Sequence, residues 1–171
     1  AVLKMDGLNM AESAAICEYI EEQFPEPALL PREAVARLEV RRLVAWFDDK
    51  FHQEVTSKLL YERINKKLMG LGYPDSKNVK AGARAIKFHL DYMGGLLDQR
   101  RWLAGDVMTL ADFAAAAHLS ALDYLSDVDW DRNAQVKDWY AKIKSRPAFR
   151  SILADQISGF VPPAHYADLD F

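Results

Sequence analysis

Two adjacent polar residues, Glu12 and Ser13, precede an apolar helical pattern and are the first residues whose types could hold a ligand. The N-terminus of a helix presents unpaired backbone N–H groups and the positive end of the helix dipole, so that it favours an anionic group. Serine in this position would also cap a helix in any protein. The sequence leaves both interpretations open, a ligand pocket and a plain helix cap.

The other reactive side chains form no constellation that chemistry would need. Cys17, the single cysteine, lies in the first turns of a helix, where a thiolate is stabilised, but its apolar neighbours Ile16 and Ile20 favour a packed side chain. Four histidines are present without paired metal-ligand spacing: His52, His89, His118 and His165. We therefore predict no metal site, no bound cofactor and no catalytic residue in this sequence.

A candidate surface for binding a protein partner consists of Arg41, Arg42 and Trp46. These residues lie on a long predicted helix, and Trp46 falls outside its main apolar row. An exposed aromatic ring beside arginines is a common anchor of protein interfaces, so we predict a partner-binding surface here. The alternative is a solvated basic helix face.

Composition limits the class of protein. The chain has 171 residues, of which 50% are hydrophobic and 27% charged, with a net charge of −3, as in a globular protein of one domain or of one domain and part of another. That balance gives no reason to expect a nucleic-acid partner or membrane insertion. The single cysteine fits a reducing compartment, and the pattern of a secretory signal is not visible at the start, so we predict a cytoplasmic location.

The predicted elements are mostly helical. Residues 1–5 read as a strand, followed by an Asp6-Gly7 turn, a second extended piece at 8–10 and a helix from Ser13. Helical periodicity then predicts further helices at 32–68, with a kink or break, and at 77–100, 133–145 and 147–155. Because the strand pair is too small to stand alone, we expect further sequence before residue 1.

A capping box marks another helix. Thr109 is followed three residues later by Asp112, at the start of an alanine-rich apolar run. The small alanines allow neighbouring helices to approach closely. We predict that this is the most buried helix and that the two residues are structural.

Two stretches resemble the glutathione transferase family. AVLKMDGLNMAESAAICEYIEE is similar to the last third of its thioredoxin-like domain, and GDVMTLADFAAAAHL to the capping-box helix of its all-helical second domain. The resemblance implies a mainly α fold: the last β-hairpin and helix of a thioredoxin-like α/β domain with a linker (1–31), a helical transferase C-terminal-type domain (32–160) and an extended tail (161–171).

The resemblance also implies a ligand. In the family, the pair matching Glu12 and Ser13 holds the γ-glutamyl group of glutathione, with the serine on the carboxylate and the acidic residue on the amine. The residue that activates the thiol lies in a segment that is absent from this sequence. Glutathione binding without catalysis is therefore possible, and a working glutathione-dependent transferase is the alternative.

LEVRRLVAWFDDKFHQEVT and the terminal PPAHYADLDF are similar to the branch of this family that binds filaments of the tubulin-like protein FtsZ. This implies a homodimeric, non-catalytic adaptor at the division site that supports constriction, with a tail directed toward the septal cell-wall synthesis machinery.

The tail itself permits two interpretations. It is either a lid folded over a pocket or a motif held out for a partner. Aromatic and apolar side chains alternate with aspartates in its last six residues, which suits an extended segment docking through alternate side chains. We favour partner binding through Tyr166, Asp168, Leu169, Asp170 and Phe171.

Overall fold

The chain, seen in a computed structural model that describes residues 2–169, begins with a two-stranded antiparallel hairpin. Strands β1 (Val2–Met5) and β2 (Leu8–Ala11) pair with Met5 opposite Leu8. Asp6 and Gly7 form the turn with φ angles of 49° and 80°, a left-handed conformation that these two residue types tolerate best. The predicted hairpin and its turn are confirmed.

Helix α1 (Ser13–Gln23) follows the hairpin and ends just before Pro25. Its Glu21 side chain accepts hydrogen bonds from the backbone N–H groups of Leu29 and Leu30, both at 2.9 Å. The proline-rich linker is thereby fixed to the helix that precedes it.

The long helix α2 covers residues 34–68 and consists of five consecutive segments. Glu33 caps its start by accepting from the N–H groups of Val35 and Ala36. The helix changes twice to π-type hydrogen bonding along its length. The segments are Ala34–Ala45 (α), Trp46–Thr56 (π), Ser57–Leu60 (α), Tyr61–Asn65 (π) and Lys66–Leu68 (α).

Four further helices complete the bundle within the described range. They are α3 (Ser76–Leu97), α4 (Leu110–Asp123), α5 (Ala134–Lys144) and α6 (Pro147–Leu153), with 3₁₀ turns at Trp130–Arg132 and Ala164–Tyr166. The mainly helical fold class is confirmed. Among the described residues, none of these helices combines the length and the apolar composition needed to cross a membrane.

Helix α4 is the centre of the core, as its composition predicted. Its alanines are fully buried at positions 111, 115 and 116, together with Leu119 and Leu122. They pack against a row of α2 side chains that solvent does not reach: Val40, Leu43, Phe47, Phe51, Val55 and Leu59. Small side chains on α4 thus let the larger side chains of α2 fill the space between the helices.

Candidate functional sites

Glu12 and Ser13 stand at the start of α1, as expected, but neither acts as a side-chain cap. Glu12 is the residue before the helix, its side chain makes no capping hydrogen bond, and Ser13 is exposed and forms no hydrogen bond with any residue in the described range. The plain helix-cap interpretation is therefore wrong. The serine hydroxyl is available to a ligand.

The backbone of Glu12 is strained. Its φ and ψ angles are 71° and 117°, outside the regions that a residue with a Cβ prefers. Such a conformation costs on the order of 1–3 kcal/mol and tends to persist where function requires it. Strain in an exposed acidic residue at a helix N-terminus is consistent with a binding role.

A cavity of about 460 Å³ opens beside this pair. It lies between the start of α1 and the side of α2, and its lining includes Arg41, Asp48, Asp49 and Leu110. Carboxylates outnumber cations in this lining, and the one arginine is already paired. The cavity therefore favours a ligand that carries an amine.

Arg41 connects α2 to α1. Its Nε and Nη2 atoms donate to the two carboxylate oxygens of Glu18 at 2.8 and 2.9 Å, forming a bidentate ion pair. The guanidinium lowers the pKa of Glu18. Arg41 therefore links α2 to α1, a role that the sequence did not indicate.

Arg42 is paired as well. Its guanidinium donates to both oxygens of Glu39 at 2.7 and 2.8 Å, and to the Tyr92 hydroxyl at 2.9 Å. Arg100 adds a bond of 2.7 Å to the same carboxylate. Hydrogen bonds from Arg42 and Arg100 lower the pKa of Glu39 to about 2.

The predicted exposure of Trp46 is wrong. Its indole is half-buried, stacks on Tyr92 with ring centroids 4.6 Å apart, and donates from Nε1 to Nδ1 of His89 at 3.1 Å. The cause is the neighbouring helix α3, which supplies both partners. Trp46 therefore joins α2 to α3 in this chain rather than projecting as an anchor.

The sequence did not indicate the structural role of His89, which bridges two side chains of α2. It is completely buried, and its Nε2 lies 3.0 Å from Oε2 of Glu54. Because Nδ1 accepts from Trp46, Nε2 must carry the proton and donate to the carboxylate. Burial lowers the pKa of this imidazole. The histidine therefore acts as a neutral bridge between two side chains of α2.

The capping box at Thr109 and Asp112 is present. Oδ2 of the buried Asp112 accepts from the Thr109 backbone N–H at 2.8 Å, while Oδ1 accepts from the Leu103 N–H at 3.0 Å and from Nε1 of Trp139 at 2.8 Å. Burial raises the pKa of Asp112, and these hydrogen bonds oppose the rise. The carboxylate joins the start of α4 to a loop and to α5.

The described part of the tail is packed rather than held out. Tyr166 is 3% exposed, and its hydroxyl lies 3.0 Å from Oγ of Ser120 on α4. His165 Nε2 lies 2.8 Å from Oδ1 of Asp123, and Nζ of Lys144 donates to the His165 carbonyl at 2.9 Å. The prediction that Tyr166 is free to bind a partner is therefore wrong.

The predicted partner residues after Tyr166 differ in their exposure. Leu169 is partly buried against the core, whereas Asp168 is exposed. The predicted partner residues Asp170 and Phe171 lie outside the described residues. Tyr166 lines a second cavity of about 410 Å³, which shares no lining residue with the cavity at Glu12. The packed tail is thus not a lid over the Glu12 pocket.

Cys17 is half-buried on α1. Burial, with the neighbouring Asp48 and Glu18 carboxylates, raises the pKa of its thiol, which favours the neutral form. This agrees with a packed rather than a reactive side chain. Within residues 2–169, histidine, cysteine and acidic side chains form no group of three or more that could hold a metal ion.

Comparisons with known proteins give one consistent result. Residues 62–156 match the model of the glutathione S-transferase C-terminal domain. The chain is 52% identical over 165 residues to FtsZ-localized protein A of Caulobacter vibrioides, covering 96% of this chain and 72% of that protein.

Two solved structures have the same fold. One is a glutathione S-transferase from Rhodospirillum rubrum, 52% identical with a TM-score of 0.95, covering 99% of this chain and 77% of that one. The other is FzlA from C. crescentus, 50% identical with a TM-score of 0.94, covering 99% and 76%. With the hairpin, the capping box and the helical bundle described above, these matches place the chain in the glutathione S-transferase family.

Proposed function

We propose that this protein is a non-catalytic adaptor that binds FtsZ filaments and supports cell division. The observation that carries the proposal is the 52% identity to FtsZ-localized protein A, which extends over 96% of the chain. A match of that extent includes surfaces as well as the core. By the same resemblance, the working form is a cytoplasmic homodimer that acts at the division site.

The docking surface is a separate part of the proposal. Arg41 and Arg42 remain candidates because their side chains are partly exposed, at 54% and 43%. Their charges are, however, already shared with Glu18 and Glu39. A filament contact at this place would have to compete with those carboxylates, so we expect it to be weak and sensitive to salt.

A role toward the septal cell-wall synthesis machinery would involve the tail. Asp168 is the exposed acidic residue of its described part. Asp168 lies at the surface of the bundle, between the buried Tyr166 and the partly buried Leu169. We propose that a partner contacts the tail from Asp168 onward.

Co-sedimentation of the full-length protein with FtsZ assembled in GTP tests the main proposal. We expect pelleting that requires polymer and disappears when GDP replaces GTP. Protein that stays in the supernatant under both conditions would refute filament binding. Light scattering of the protein without FtsZ tests the homodimer. A monomeric mass at micromolar concentration would exclude it.

Glutathione binding is the second candidate, and the geometry at Glu12 and Ser13 favours it. The strained Glu12 backbone, the unbonded Ser13 hydroxyl and the adjacent cavity together provide an acidic group and a helix N-terminus for a molecule with an amine and a carboxylate. Conjugation chemistry would additionally need a thiol-activating residue.

Calorimetric titration of the full-length protein with glutathione tests this candidate. We expect Ser13→Ala to weaken binding about tenfold through the lost hydrogen bond to a charged group. Ser76→Ala, at the start of α3, provides a matched control. Equal affinity of the wild type and Ser13→Ala would remove this serine from the pocket, and absence of binding would remove the candidate function.

A further inference from the structure

The outer face of α3 carries a row of cations that the sequence reading overlooked. Lys77, Lys80, Arg84 and Lys87 follow one another at spacings of three, four and three residues, which places them along one side of the helix. All four are exposed. At a rise of about 1.5 Å per residue, the row is about 15 Å long.

These cations differ from most of the basic residues of α2, the neighbouring helix. Within residues 2–169, none of the four takes part in an ion pair. Seven other basic side chains do pair with carboxylates: Arg41, Arg42, Lys50, Arg63, Lys66, Arg100 and Arg132. The row is thus a local excess of positive charge on a protein whose net charge is −3.

The composition of α3 maintains this excess. Between Ser76 and Leu90 the helix contains no acidic residue, and its first one, Asp91, is bound by Arg132 at 2.6 and 2.8 Å. Like charges three or four residues apart repel one another and destabilise a helix. An external carboxylate partner would relieve that repulsion.

The surface between the cations is concave, and an exposed aromatic side chain follows it on the helix. The small side chain of Ala83 leaves a depression of about 570 Å³ among the four cations. Phe88, one turn after Arg84 on the same helix, is 57% exposed. An exposed aromatic ring beside an arginine without an ion pair in the described chain is a common anchor of protein interfaces.

We propose that this face of α3 is a docking surface for an acidic protein segment that also carries apolar side chains. The carboxylates of the segment would pair with the cations, and its apolar side chains would contact Phe88. A row of about 15 Å suits a short segment of three or four contacting residues. Nucleic acid or an anionic membrane is less well matched, because both call for a broader positive field.

The test measures binding of a fluorescein-labelled peptide of about twelve residues, in which aspartates alternate with leucine and phenylalanine, by fluorescence anisotropy. The protein is used as the full-length chain. We expect binding that weakens as salt rises, and at least about a tenfold loss of affinity in R84E/K87E. The neutral variant R84Q/K87Q should lose less.

The matched control is K142E/R150E, which makes the same change in charge at exposed residues of α5 and α6 that form no ion pair in the described chain. Its affinity should stay within about twofold of the wild type, since a distant exposed charge is largely screened. Equal losses in the two charge-reversed variants would overturn the proposal. Circular dichroism establishes that each variant is folded.

Two further probes decide the class of partner. Tighter binding of duplex DNA or of phosphatidylserine vesicles than of the peptide, with the same dependence on Arg84 and Lys87, would overturn the assignment to a protein segment. Failure of filament sedimentation would leave this result untouched, because the peptide assay contains no FtsZ.

Discussion

Replacement of Asp112 by alanine should be among the most destabilising single changes in the helical bundle. The carboxylate is completely buried and receives hydrogen bonds from the Thr109 and Leu103 backbone N–H groups and from the Trp139 indole. Alanine leaves all three donors without this acceptor. Because the site is closed to solvent, water cannot easily take its place.

The magnitude follows from these contacts. Each buried donor left unpaired costs roughly 1–3 kcal/mol, and the value for the Thr109 N–H already contains the loss of the Asp112 half of the capping box. With the lower value for each of the three donors, the loss comes to about 3 kcal/mol. The carboxylate no longer has to be desolvated in the variant, which offsets part of this loss, so we expect a decrease of about 2–3 kcal/mol in the free energy of unfolding.

Urea denaturation followed by tryptophan fluorescence and by circular dichroism measures this change. Asp106→Ala is the control, since Asp106 lies in the same connecting segment but is exposed. We expect it to alter stability by less than about 0.5 kcal/mol. A loss below about 1 kcal/mol in Asp112→Ala, with an unchanged denaturant slope, would refute the view that this carboxylate joins the loop, α4 and α5.

Three further predictions follow from other contacts. Glu39→Gln should remove the part of the acid-induced loss of stability that Glu39 contributes as the pH falls from about 4.5 to about 2, because a carboxylate with a lowered pKa stabilises the fold only while it is ionised. Gly94→Ala should cost about 2 kcal/mol, since the new Cβ would overlap the side-chain amide of Asn133, which caps α5. Tyr166→Ala should cost about 3–5 kcal/mol and expose the tail to proteolysis.

Each of these has its own measurement and control. Acid titration of unfolding compares Glu39→Gln with Glu22→Gln on α1, and parallel curves for the wild type and Glu39→Gln would contradict the role of the two arginines. Thermal unfolding compares Gly94→Ala with Gly95→Ala, where a Cβ meets open space. Timed proteolysis compares Tyr166→Ala with Val161→Ala, and equal cleavage rates would contradict the packing of the tail.

Local features of the fold could be predicted from the sequence. The Asp6-Gly7 turn, the start of α1 at Ser13 and the capping box at Thr109 and Asp112 each depend on residues a few positions apart. Their conformations are decided by backbone preferences and by short-range hydrogen bonds. For that reason these predictions are confirmed to within one or two residues.

Features that depend on distant partners could not be predicted. Trp46 was expected to be exposed, because periodicity along α2 does not show that Tyr92 and His89 lie beside it on α3. Likewise, the hydroxyl of Tyr166 meets Ser120, which lies 46 residues away in the sequence. The spacing of residues along the sequence indicates neither contact.

The candidate site was likewise predicted in its local features but not in its contacts between distant residues. The position of Glu12 and Ser13 at a helix N-terminus followed from the sequence, whereas the strained backbone of Glu12 and the adjacent cavity required three dimensions. The cations of α3 were visible in the sequence, but their lack of ion pairs in the described chain was not. That difference distinguishes them from the paired arginines of α2.

The junction at the start of α4 has a consequence for how the chain folds. Its Leu110 N–H donates to the carbonyl of Leu29, 81 residues earlier, and its Asp112 accepts from the indole of Trp139, 27 residues later. Two loops of the chain are therefore closed at one place. Closing long loops costs chain entropy before the contacts reward it, which slows folding relative to the formation of local helices. We therefore expect α2 and α3 to form first, and the junction to complete the native state late.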